Sequence, residues 1–483
     1  MNDVSDSNTL NIKENMQNTV KPNQKLSKST MFAYGCGDFA SNLCWTFIGS
    51  YLSIFYTDVV GMAPAVASIL MLAAKVWDGV NDPMFGAIAE RNSSKWGRFR
   101  PFILFGSPFL ALFSVLAFTT FGSGTTAVVW AAFSYIGCGM LYTVVNLSYG
   151  SLSTVMTTDP EDISLLNSYR MMGTNLSSVL LNAVTAPLLI YFSGRSDSYT
   201  ASAYTKVAVI FALLSLPLFY FVFAKCKEKI HPAANEVKVP IKQSIKSVVT
   251  NKPLMLIFLI QLLAMTAFFG RMGIVIYYLM YNLKAYNMIS LFMSLPSLFT
   301  VLGIFLTMKY TTRVGKKKMA AIGYIGSGSA LIAMYFVGLT MGYSNITLLL
   351  VLSCVYGLFC FSFPIPMAMV PDAINYEENK TGIRSDGTSY ATISLSTKLG
   401  SAIGVSGALL IMGATGYIAN AQQSAEALNG INLTTNLIFG IMFLLCLIPL
   451  AKYPLDEKKS AEILASLEEK RAQKQSELEN QEV

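Results

Sequence analysis

Apolar residues run along this chain in long blocks separated by short polar joints. Blocks of roughly 18 residues or more, each long enough to cross about 30 Å of hydrocarbon as a helix, recur at 31–56, 64–89, 101–121, 125–153, 165–192, 203–224, 253–281, 286–308, 319–340, 344–373, 387–415 and 430–451. The pattern predicts an all-α membrane protein with twelve transmembrane helices. A membrane barrel would need alternating segments of about ten residues, which the chain lacks, and no third way of satisfying the backbone exists in lipid. Composition agrees: 13% of residues are charged and mean hydropathy is +0.50, whereas soluble domains carry about 25% charged residues.

Of the 35 lysines and arginines, 28 fall in the alternate segments 1–30, 90–100, 225–252, 309–318, 374–388 and 452–483. Arg195 and Lys284 fall in the other joints, and Lys75, Arg170, Lys206, Arg271 and Lys398 fall within spans. Because basic residues mark the cytoplasmic side, both termini are expected there, in a multi-pass chain of the cell membrane, of bacterial plasma-membrane type. Topology accounts for the formal charge of +8, so no nucleic-acid partner is expected. Membrane lipid is the surrounding partner, and the chain is expected to act as a monomer.

The longest basic joint divides the spans six and six. This predicts a cytoplasmic N-terminal segment (1–30), an N-terminal six-helix bundle (31–224), a central cytoplasmic loop (225–252), a C-terminal six-helix bundle (253–451) and a cytoplasmic tail (452–483). An internal echo points to duplication: KWGRFRPFILFG (95–106) follows the second span and RVGKKKMAAIGYIG (313–326) the eighth. Seven cysteines without CxxC spacing read as apolar filler. The single histidine, His231, lies in the central loop, which removes a histidine metal site or proton relay from the membrane. With no GxxxxGK[ST] or HExxH motif, neither an ATP-driven pump nor a membrane hydrolase is expected, and no enzyme activity or cofactor.

Charged groups at bilayer depth cost about 2.5–3.5 kcal/mol each even on the gentler scale, so they face a bundle interior or cavity. They cluster in KVWDGVNDP (75–83). Asp78 and Asp82 stand one helical turn apart, Lys75 shares their face, and Asn81 lies at its edge. Two such carboxylates cannot both stay ionised and dry. A proton, a small hard cation such as Na⁺, or the Lys75 ammonium can join them, and one lysine for two acids leaves a negative charge seeking a partner. Asp38, Asn42, Thr143, Asn146, Arg170, Ser394 and Lys398 lie at similar depth, with Tyr34, Trp45 and Tyr149 nearby. Paired polar groups beside aromatic plates suit sugar hydroxyls and ring faces.

The stretches YTDVVGM (56–62), KVWDGVNDPMFGAIAERNSSKWGRFRPFILFG (75–106), LYTVVNLSYGSL (141–152) and PDAINYEENKTGIRSDGTSYATISLSTKLG (371–400) together resemble the glycoside–pentoside–hexuronide:cation symporters. This is the melibiose permease-like branch of the major facilitator superfamily. The resemblance implies a major-facilitator fold of two six-helix bundles and import of a small-molecule glycoside by symport with H⁺ or Na⁺. It implies a cation site at Asp78, Asn81, Asp82 and Thr143, a metal site at Asp78 and Asp82 if Na⁺ is the ion, and a sugar cavity at Asp38, Arg170, Ser394 and Lys398. Asn42, Asn146 and Tyr149 join the sugar set on the reading of the residues. Asn146 and Gly150 stand where melibiose permease has an acid and a tryptophan, which favours pentosides or hexuronides over galactosides. A non-sugar solute carrier or a sugar exchanger is the alternative. Arg98 and Arg100 are expected to latch the cytoplasmic face by pairing with Asp372 and Glu378 while the carrier faces outward.

Overall fold

The computed structural model describes residues 25–92, 94–157, 159–195, 198–229 and 248–481. Most of the polar N-terminal segment and of the central basic loop, with His231, lies outside them. The first six helices are α1 (Lys28–Ile54), α2 (Pro64–Arg91), α3 (Arg100–Leu116), α4 (Thr125–Met156), α5 (Pro160–Ser193) and α6 (Ala201–Lys225). The second six are α7 (Lys252–Tyr277), α8 (Ile289–Val314), α9 (Lys316–Thr340), α10 (Ile346–Thr381), α11 (Asp386–Ala414) and α12 (Ala425–Lys452). A further helix, α13 (Glu457–Gln481), follows.

Among the described residues nine of these helices are long and apolar enough to span by themselves. α1 and α2 fall short because they carry the polar residues just discussed, and α3 because it has 17 residues. Their place in the membrane is fixed by packing against the others. α1 meets α5 through Gly35 and Gly173, whose backbones approach too closely for a side chain, and α7 meets α11 in the same way through Gly270 and Gly404. Small residues let helices close in lipid, where there is no hydrophobic drive between them. The two six-helix halves then join along α2–α11, α5–α8 and α1–α7.

The repeat heard in the sequence has a structural counterpart on the side of the basic loops. Gly97 (φ +109°) and Gly315 (φ +95°) occupy backbone conformations that only glycine adopts freely, and each starts the next helix. Glu228, just beyond α6, accepts hydrogen bonds from the N–H groups of Arg98 (2.7 Å), Phe99 (2.7 Å) and Arg100 (3.1 Å). Glu457, just beyond α12, accepts from the N–H of Lys316. The favour is returned: Arg100 donates to the Phe223 carbonyl at 2.6 Å and Lys317 to the Tyr453 carbonyl at 2.7 Å. Each half thus sets an acid on one helix N-terminus and a base on another helix C-terminus, where the peptide dipoles favour them. The tail helix α13 docks under α10, with Leu467 buried and Lys470 donating to Asn379 at 2.6 Å.

The expected latch is not formed in this conformation. The Arg100 guanidinium is used within the first half, the Arg98 guanidinium lies over Phe99, Asp372 pairs with Lys316 (2.7 Å) and Glu378 with Arg384 (2.7 Å), both within the second. The two halves meet instead on the opposite side. There Ser53 donates to the Gly273 carbonyl, Thr57 bonds Tyr277 at 2.7 Å and Ser68 donates to the Ser406 carbonyl at 2.8 Å. With the halves parted on the basic side, the cross-half partners are apart, and Asp372 and Glu378 each have a base within their own half.

Replacing Glu228 by Gln weakens three charge-assisted contacts and is expected to cost about 1–3 kcal/mol, read as faster thermal inactivation in detergent. Glu457→Gln, which touches one N–H, should cost less.

Candidate ion and sugar site

α2 presents its acids toward α4 and α11, and the two are separated rather than shared. Asp78 faces Lys75 at 3.4 Å, while its Oδ1 has no hydrogen bond and is pressed by Gly139 of α4, where a Cβ would lie 2.5 Å away. Lys75 in turn lies over the Trp45 ring, 4.1 Å from its centre, and that indole stacks on Tyr142 at 4.2 Å. Asp82 accepts a hydrogen bond from Thr143 at 2.8 Å and forms an ion pair with Lys398 of α11. Counting one lysine for two acids was therefore incomplete. Lys398 is the second, contributed by the other half of the molecule. Asn81 is buried beside them with its Nδ2 unpaired.

A third pair joins α1 to α5: Arg170 Nε donates to Asp38 at 2.5 Å. The guanidinium lies over Tyr149, 5.3 Å from the ring centre, and a Cβ at Gly150 would stand 3.4 Å from it. Asp38, Arg170, Asp78, Asp82, Thr143 and Lys398 are accordingly gathered around the α1–α2–α4–α5–α11 junction.

Two members of the expected sugar set are absorbed into helix packing. Tyr149 is fully buried, stacks on Tyr34 at 4.7 Å and donates to the Tyr34 carbonyl at 2.5 Å, so its face is not free for a sugar. Asn42 bonds back to the Asp38 carbonyl at 2.8 Å within its own helix. Asn146 is half-buried with an unpaired Oδ1.

A cavity of about 500 Å³ runs from the Asp82–Lys398 pair along Gly79, Gly86, Ser148, Ser151 and Ser394 to Ala89 and Phe99, at the basic side. Ser394, a member of the expected sugar set, lines this cavity, and so do Ser148 and Ser151, which the sequence did not single out. Only their spacing along α4 could have marked them, and a three-residue serine pair is common in membrane helices. Lys75 was noticed as a partner of Asp78, but its aromatic seat on Trp45 requires α1 and α4 to be placed.

A family model for MFS/sugar transport proteins matches residues 33–457. The chain belongs to that family. Within it the carrier is 32% identical over 458 residues to the isoprimeverose transporter of Lactiplantibacillus pentosus, with 92% of each chain covered. It is 29% identical over 452 residues to the glucuronide carrier protein homolog of Escherichia coli, covering 93% of this chain and 97% of that one. These relatives agree with the glycoside–pentoside–hexuronide:cation symporter resemblance. Among solved structures, the inward-open xylose transporter XylE from E. coli aligns with a TM-score of 0.61 at 14% identity, over 91% of this carrier and 98% of that chain. The nucleoside transporter NupG aligns with a TM-score of 0.62 at 11% identity, over 88% and 100%. At such identities the likeness establishes the major-facilitator fold alone.

Gly139→Ala puts a methyl against the Asp78 carboxylate and is expected to lower cation-driven glycoside uptake about tenfold or more. Gly407→Ala, where nothing lies within 4 Å of the added carbon and which does not line the cavity, should retain most uptake. Initial rates in membrane vesicles distinguish the two.

Proposed function

We propose that this carrier imports a glycoside, a pentoside or hexuronide in the first instance, by symport with H⁺ or Na⁺, without covalent change to the sugar. The observation that carries the reading is the Lys398 ammonium on Asp82, at the head of the cavity and beside the Thr143 hydroxyl. An ammonium held there occupies the place a coupling cation would take. Binding of H⁺ or Na⁺ at Asp82, with Asp78, Asn81 and Thr143 around it, displaces Lys398. The lysine is released toward Ser394, one turn earlier on α11, where sugar hydroxyls compete for both. Cation and sugar therefore strengthen each other's binding, and the coupling is equal in both directions. Isoprimeverose and glucuronide in the names of the relatives support a glycoside as solute.

By the basic-side rule the cavity side is the cytoplasm of the cell that bears the carrier. The conformation is then the substrate-release state, with both termini cytoplasmic. Asp38, Asp78 and Asp82 each have a base, Arg170, Lys75 and Lys398 respectively. The cation-free site is thus neutral, which lets the empty carrier return without dragging unpaired charge through the membrane.

The test is uptake of labelled xylosides, glucuronides and galactosides into proteoliposomes under separately imposed pH and sodium gradients. Accumulation driven by one gradient and absent with the other identifies the ion. Asp82→Asn should abolish gradient-driven accumulation while sugar exchange persists. Accumulation at the unaltered level in Asp82→Asn would end the proposal, and uptake of none of the glycosides would remove the sugar assignment.

A further inference from the structure

The face opposite the basic loops closes on one acidic side chain that plays no part in the site above. Asp58 lies in a π-helical turn, Phe55–Val59, that widens the end of α1, and α7 ends in a matching turn, Tyr278–Asn282. One carboxylate oxygen of Asp58 accepts the Tyr417 hydroxyl at 2.5 Å and the Thr57 hydroxyl at 2.6 Å, and the other accepts the Tyr281 hydroxyl. Its backbone carbonyl accepts Asn420. Tyr281 belongs to the end of α7, and Tyr417 and Asn420 follow α11. A single residue of the first half therefore gathers two separate elements of the second. The rings of Tyr277 and Tyr281 pack edge-on against Tyr417, at 5.4 and 5.3 Å, and Asp58 itself is half-buried.

The groups that face the Asp58 carboxylate are all hydroxyls, while the Asn420 amide meets the backbone carbonyl. From α7 come Tyr277 and Tyr281, from beyond α11 Tyr417, from α6 Tyr204, and from its own turn Thr57. Among the described residues no lysine, arginine or histidine pairs with it. This separates Asp58 from Asp38, Asp78 and Asp82, each of which has its own base. Tyrosines stay neutral through the physiological range, so the charge of this cluster depends on Asp58 alone.

An ionised carboxylate only accepts, and here it meets three donors. A protonated one gives up an acceptor site and must place a hydrogen of its own, which loosens its hold on Tyr281 and Tyr417, the two donors that cross between the halves. The hydroxyl contacts are also strongest when the acceptor is charged. We propose that Asp58 is a proton-binding site separate from the Asp78–Asp82 site: ionised, it seals the face opposite the basic loops, and protonated from that side, it lets that face part. The proton comes from water on that side and the only bond made is O–H on the carboxylate. Acidity there would then favour the conformation able to load solute, whichever ion is coupled at Asp82.

The experiment uses the full chain in lipid nanodiscs, with spin labels on bio-orthogonal residues at exposed positions 123 and 344, so that the cysteines stay unmodified. The unaltered carrier should show the short distance at pH 8 and a growing long-distance population as pH falls. Asp58→Asn, isosteric and uncharged, should show the long distance throughout and lose the pH response. Tyr417→Phe removes one donor from the charged form and should move the opening midpoint upward by about one pH unit, the scale set by one hydrogen bond to a charged group. It also serves if Asp58→Asn fails to fold. A closed, pH-responsive Asp58→Asn carrier, or a Tyr417→Phe midpoint equal to that of the unaltered chain, overturns the proposal.

Discussion

A charge carried into hydrocarbon is costly unless its opposite comes with it, and at the centre of the carrier that cost is met by pairing. Three acids at membrane depth each hold a base: Asp38 with Arg170, Asp78 with Lys75, Asp82 with Lys398. Leaving one partner of a buried pair alone costs several kcal/mol, much more than the pair itself contributes. Any ligand that displaces a base must therefore replace its charge. That condition makes a cation the natural competitor of Lys398, and makes the state without a cation a closed account rather than a strained one.

The three pairs differ in what they join. Lys75 and Asp78 share one helix, and Arg170 and Asp38 join two helices of the same half, so both survive a motion of one half against the other. Asp82 and Lys398 bridge α2 and α11, across the plane where the halves meet, and the pair borders the cavity. Among the three, it alone joins the two halves. The Thr143 hydroxyl holds the Asp82 carboxylate from α4.

Around this centre the two halves repeat one construction. Gly97 and Gly315 turn the chain into a helix N-terminus, and Glu228 and Glu457 cap it. Bases at those helix starts hold the carbonyls at the end of α6 and α12 in return. These bonds stay inside each half, so they make two stiff bodies without tying one to the other. Cross-half contacts are concentrated on the opposite face, where hydroxyls and one carboxylate replace ion pairs.

The order of the spans, the side on which basic residues gather, and the shared helical face of Asp78 and Asp82 are legible in the sequence. Each depends on local composition or on the 3.6-residue period of one helix, which holds wherever that helix is placed. The glycine-and-base echo after spans two and eight was legible too, although its acidic counterparts at Glu228 and Glu457 were not. Tertiary structure alone decided the partners. Lys398 lies 316 residues from Asp82, and Tyr417 lies 359 from Asp58. No periodicity relates positions so far apart. Tyr149 and Asn42, polar residues at the expected depth, turned out to serve helix contacts, because facing a neighbour or facing a cavity depends on where the neighbour stands.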